Sequence, residues 1–123
     1  MKSYELNLTE YSIEIDKVVV KDKKRTTEKA EEVVDIKKEL ADLLRIPGTY
    51  KNGVESFDGM MLGREIRACE EDSLTISEDE LRVLKMVMDE LISREHNPAK
   101  NLISLGGPRY EEMIIRVYGL GRD

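Results

Sequence analysis

The apolar residues of this chain change their spacing once, near residue 26, and that change limits the folds open to it. Upstream, Tyr4, Leu6 and Leu8 alternate, and Tyr11, Ile13 and Ile15 alternate again after a one-residue slip at Thr9-Glu10. A period of two places alternate side chains on one face of a strand, and a slip in phase marks a bulge or a turn. Val18, Val19 and Val20 follow Asp16-Lys17, a turn-compatible pair that lacks glycine. The pattern predicts a β-hairpin over residues 4–22, with strands at 4–15 and 18–22.

From Thr26 or Thr27 onward, Ala30, Val33, Ile36, Leu40, Leu43 and Leu44 fall on one helical face, and charged residues fill the rest. A threonine supplies the N-cap, and Pro47 drives Ile46 out of helical geometry, which predicts a first helix over 26–45. Residues 46–58 hold Pro47-Gly48, Asn52-Gly53 and Asp58-Gly59, so they read as a loop with several turns. Its Tyr50, Val54 and Phe57 are expected to pack down on the core. A second helix over 58–70 carries Met61, Leu62, Ile66 and Cys69 on one side, with Gly63 in its middle. That glycine costs about 1 kcal/mol relative to alanine unless close packing requires it.

Ser77 and Glu80 have the spacing of a capping box and open a third helix over 78–95, with Leu81, Leu84, Val87, Met88, Leu91 and Ile92 as its stripe. Gly107-Pro108 starts a last helix over 108–118, because proline fits the first helical position. Tyr110, Met113, Ile114 and Val117 form its inner face, and Gly119 closes it. These elements predict one domain of the α+β class, dominated by helix: an N-terminal β-hairpin packed on about four helices.

The chemistry available to such a domain is thin. The 123 residues include one histidine, His96, one cysteine, Cys69, and no tryptophan. A general base needs a nucleophile and an orienting partner, and a lone histidine before Asn97-Pro98 names neither. Its position suits the exposed carbonyls of a helix end. Cys69 follows helical spacing from Leu62 and Ile66, as a small core residue would. The clusters Glu70-Glu71-Asp72 and Glu78-Asp79-Glu80 lack the ligand spacing of a Ca²⁺ loop and read as solvated acidic faces. The expectation is therefore no enzyme, no catalytic residue, no metal and no cofactor.

Charge carries more information. Residues 17–29 hold Lys17, Lys21, Lys23, Lys24, Arg25 and Lys29 against Asp22 and Glu28, a local +4. Residues 70–95 are acidic by a local −6, the same value as the whole chain's formal net charge. A net negative field disfavours nucleic acid and anionic membrane as bulk partners. Opposed patches can instead steer a protein partner or join copies of the chain. Lys21, Lys23, Lys24 and Arg25 are the candidate partner-binding residues, although a solvated basic loop explains them as well. A second candidate is the turn of Gly106, Gly107 and Arg109, where a helix N-terminus offers N–H donors to a small anion beside a guanidinium. The commoner role of such a turn is helix capping. A single cysteine and the lack of an apolar signal region or an 18-residue apolar run suit a cytoplasmic protein.

The sequence of a short strand pair, Val33-Val34-Asp35-Ile36-Lys37-Lys38-Glu39-Leu40, Leu62-Gly63-Arg64-Glu65-Ile66-Arg67-Ala68, Leu74 to Leu81 and Tyr110 to Val117 resembles small accessory proteins encoded by tailed phages and prophages. The resemblance implies a viral accessory factor in the host cytoplasm or on the virion, and it brings no catalytic residue. The function expected is a non-enzymatic factor that occupies or bridges a partner protein's surface. The alternatives are an assembly protein forming a symmetric homo-oligomer and a binder of a small anion at residues 106–109.

Overall fold

Asp22 and Lys23 both adopt positive φ, 50° and 64°, and the chain reverses between them. Two successive left-handed residues make the hairpin turn whose twist matches antiparallel strands. The computed structural model describes residues 2–46, 49–93 and 108–121. Within them the order is β1 (Ser3–Asn7), β2 (Tyr11–Lys21), β3 (Lys24–Val34), α1 (Ile36–Leu43), α2 (Gly53–Ala68), β4 (Ser73–Ser77), α3 (Glu78–Ser93) and α4 (Pro108–Tyr118). The class is α+β, as the sequence predicts.

The strand pairing differs from the expected one. The slip at Thr9-Glu10 is a break between two strands: Asn7 Oδ1 accepts hydrogen bonds from the Thr9 amide at 3.0 Å and the Thr9 hydroxyl at 2.7 Å. This local turn ends β1, which pairs antiparallel with β4, Leu6 opposite Leu74 and Tyr4 opposite Ile76. Residues 73–77 were not expected as a strand. The hairpin is β2–β3, with Tyr11 opposite Val34 and Lys21 opposite Lys24. Its turn falls at Asp22-Lys23 rather than at Asp16-Lys17.

The first helix is correspondingly shorter than 26–45. Thr26 to Val34 are strand, and the helix starts at Ile36 behind an Asp35 cap whose carboxylate accepts from the Lys38 amide at 3.3 Å. Ala30 satisfies both periods, and the ladder to β2 decides between them, because strand preference follows neighbours more than local propensity. The second helix begins five residues earlier than expected, at Gly53, since Asn52 is its N-cap rather than part of a turn; its side chain accepts from the Glu55 amide at 3.0 Å. The capping box is formed, with the Ser77 amide donating to Glu80 Oε1 at 3.0 Å and the Glu80 amide to Ser77 Oγ at 3.1 Å. The third helix is described to Ser93 and the last runs Pro108–Tyr118.

A single core joins Leu6, Ile36, Leu40, Leu44, Leu62, Ile66, Ile76, Leu84, Met88, Leu91, Met113 and Val117. Leu40 and Leu84 are both fully buried, which puts α1 and α3 at its centre. Packing around α2 demands glycine at one position and leaves room for a methyl group at another. A side chain at Gly59 would run into the Tyr50 ring, whose hydroxyl donates to the Leu44 carbonyl at 2.7 Å. One at Gly63 would meet Leu44 Cβ at 3.5 Å. Lys37 Nζ spans from α1 to the Cys69 carbonyl at 2.7 Å and satisfies the end of α2. Val54 and Phe57 do not pack inward as expected: both are exposed, on the first turns of α2.

Candidate partner-binding arm

The β2–β3 hairpin is anchored at its root and free beyond it. At the root, the Tyr11 hydroxyl donates to the Arg109 carbonyl at 2.7 Å. The Arg109 guanidinium bridges Glu32 of β3 at 2.7 Å and Glu39 of α1 at 2.6 Å. Arg116 of α4 lies 5.1 Å from the Tyr11 ring centre and donates to the Thr9 carbonyl at 2.6 Å. Burial pushes the Tyr11 phenol up to about 12, with Arg116 opposing the shift. Hydrogen bonds to Glu32 and then Glu39 raise Arg109 further above its ordinary range. The last helix, with Glu39 of α1, thus grips the base of the hairpin.

Past Ile15 and Ala30 the grip ends. Six cross-strand pairs, from Asp16–Lys29 to Lys21–Lys24, extend roughly 20 Å at about 3.4 Å per residue. Of these residues only Val19 is half-buried; the rest are exposed. The register sets the two faces. Lys17, Val19 and Lys21 share one with Glu28, Thr26 and Lys24, while Asp16, Val18 and Val20 share the other with Lys29, Thr27 and Arg25. Val18 is 63% exposed and Val20 65%, values unusual for valine in a strand. Lys21 meets Glu28 at 3.6 Å, whereas Lys23, Lys24 and Arg25 pair with no acidic group among the described residues. The structure therefore brings Lys21, Lys23, Lys24 and Arg25 together at the tip of one ribbon, with two bare valines behind them.

The second candidate is divided by the limits of the described region. Gly106 and Gly107 lie outside it, as does His96. Arg109 lies inside it, and its two terminal nitrogens already hold Glu32 and Glu39. A small anion would have to displace two carboxylates from that guanidinium. Sequence reasoning missed this structural role because the partners stand 77 and 70 residues away.

Elsewhere the described surface has little chemistry. The half-buried Cys69 thiol points at the carbonyls of Glu71 and Ser73, 3.5 Å from each, at the end of α2. No group of three or more His, Cys, Asp or Glu among the described residues is placed to hold a metal. An open cleft of about 750 Å³ runs between Tyr4, Leu81, Lys85, Met86 and Asp89, with charges of both signs. Glu65 faces Glu80 beside a smaller cleft, and desolvation, followed by the Glu80 charge and hydrogen bond, raises its pKa. None of the described helices is long and apolar enough to cross a membrane. No protein-family model matches the chain, and neither a curated protein nor a solved structure is significantly similar to it.

Proposed function

We propose that this protein is a non-enzymatic binding factor that engages a partner protein with the β2–β3 arm. The observation that carries the reading is the distal hairpin itself, exposed on both faces with Val18 and Val20 bare and a basic tip. A two-stranded ribbon is marginal in water unless a further strand or helix covers it. Here the described part of the chain provides no cover beyond the root, so a partner is the natural source. Unpaired Lys23, Lys24 and Arg25 favour an acidic surface, which they would steer into place, and the valines favour burial once it arrives.

Such a role needs no cofactor, and it agrees with the accessory, phage-encoded character implied by the sequence resemblance and with action in a host cytoplasm. The test is photo-crosslinking in the producing cell. A diazirine-bearing residue at Val20 should yield a discrete product, whereas one at exposed Ile115 of α4 should not. Reversing Lys23, Lys24 and Arg25 to glutamate should abolish the Val20 product. If Val20 gives no product, or gives one that is indifferent to charge reversal, the arm is not the binding element.

A further inference from the structure

We infer that the groove where the end of α1 meets α2 binds a small amphiphilic acid, a dissolved molecule with one apolar chain and a carboxylate head. The contact that builds it is Gly63 on Leu44, where an added Cβ would lie 3.5 Å from Leu44 Cβ. Arg45 and Arg64, the next residue on each segment, line one groove of about 550 Å³ beside that contact. Phe57, Met60 and Met61 line it with them. Helical spacing explains the grouping, since residues three and four apart are neighbours on a helix surface. Phe57 is the chain's one phenylalanine, yet it is 64% exposed, beside Met60 at 49% and Met61 at 41%. An apolar concavity of this size with a few placed polar groups is the usual form of a small-molecule site. Methionine thioethers adapt to whichever chain lies on them.

Charge names the occupant. Neither guanidinium has an ion-pair partner among the described residues, in a chain with 26 acidic and 20 basic residues. Asp42, one turn before Arg45, is taken by Lys38 at 3.4 Å. The neighbours three and four residues from Arg64 are Met60, Met61, Arg67 and Ala68, so its own helix offers it no carboxylate. The acids of α2 face elsewhere: Asp58 and Glu65 line the cleft toward α3, with Asp79 and Glu80. No carboxylate among the described residues lines the groove itself. A carboxylate head would make charge-assisted hydrogen bonds to guanidinium, and its chain would take the phenyl and thioether groups out of water. An inorganic anion would leave that floor wet, and a neutral chain would leave both arginines unmatched. An anionic bilayer offers similar headgroups, but the four carboxylates of the adjoining cleft would be repelled by it. The groove shares no residue with the arm, so its failure would leave the arm's reading untouched.

Sodium decanoate, kept below its micelle concentration, is the probe, followed by calorimetry and by the methyl resonances of isotope-labelled methionine. Binding should be saturable. The Met60 and Met61 methyls should shift, while those of Met88 and Met113, both fully buried in the core, stay in place. Arg45→Gln and Arg64→Gln should each weaken binding about tenfold, as loss of a charge-assisted hydrogen bond does, and both should melt with the parent because the two side chains are exposed. Asp58→Asn, in the adjoining cleft, should not weaken it. Decanol, with the same chain and no charge, should bind about tenfold more weakly or worse. The Lys23→Glu, Lys24→Glu, Arg25→Glu protein should bind decanoate as the parent does. No saturable heat, decanol held as tightly as decanoate, or shifts confined to other methyls would overturn the site. So would a doubly substituted Arg45→Gln, Arg64→Gln protein that binds unchanged. Retention on vesicles of phosphatidylcholine and phosphatidylglycerol, without binding of free decanoate, would overturn it in favour of a membrane surface.

Discussion

The Tyr11 hydroxyl reaches 2.7 Å across to the carbonyl of Arg109, a residue 98 positions further along the chain. That bond ties the first residue of the arm to the first turn of the last helix. Removing it with Tyr11→Phe should cost about 0.5–1.5 kcal/mol in a denaturant melt, the usual worth of one such bond.

The same phenol gives an alkaline signature. Burial raises both Tyr11 and Tyr50 from 10.0 to about 12. A group whose folded pKa lies above its unfolded one contributes stability that is intact below the unfolded value. Stability should therefore hold to pH 10 and fall between pH 10 and 12, and Tyr11→Phe with Tyr50→Phe should flatten that fall. A parent protein equally stable at pH 9 and pH 12 would show that neither ring is sequestered.

Two glycines of α2 should respond with opposite signs. Gly59→Ala drives a methyl group into the Tyr50 ring, and displacing that ring and its bond to Leu44 should cost about 1–3 kcal/mol. Gly63→Ala makes ordinary contact with Leu44 and gains helix propensity, so it should be neutral or stabilising by up to about 1 kcal/mol. Urea melts of the two variants decide this.

At the centre of the core, Leu40→Ala and Leu84→Ala should each cost about 2–5 kcal/mol, since both side chains are fully buried. A loss below half a kilocalorie at either position would place it on the surface.

Sequence resolved the helical half of this protein best. The Ser77–Glu80 box, Pro108 at the head of the last helix, and the stripes of Leu40, Leu84 and Met113 are local signals, and the structure realises each. The β region was harder to read, because pairing is a relation between distant segments. Nothing near Leu6 announces that Leu74 will lie opposite, and Asp22-Lys23 carries no glycine to mark its turn. The run Glu28-Lys29-Ala30-Glu31-Glu32 suits a helix as well as a strand. Of the candidate sites, the basic cluster could be named from charge alone. That it stands on the tip of an exposed ribbon, and that Arg109 braces the ribbon's root, depended on contacts up to 98 residues apart.

Excising residues 17–28 and closing Asp16 to Lys29 through Asn-Gly separates the arm from the fold it grows out of. The shortened chain keeps Tyr11, Glu32, Glu39 and Arg109, and should melt within a few degrees of the parent because the removed pairs bury almost nothing. Capture of the crosslink-defined partner on immobilised protein then isolates the arm's contribution. The parent should retain the partner and the shortened protein should retain none of it. Equal recovery by a correctly folded, armless protein would contradict a binding role for the hairpin and move the site to another face.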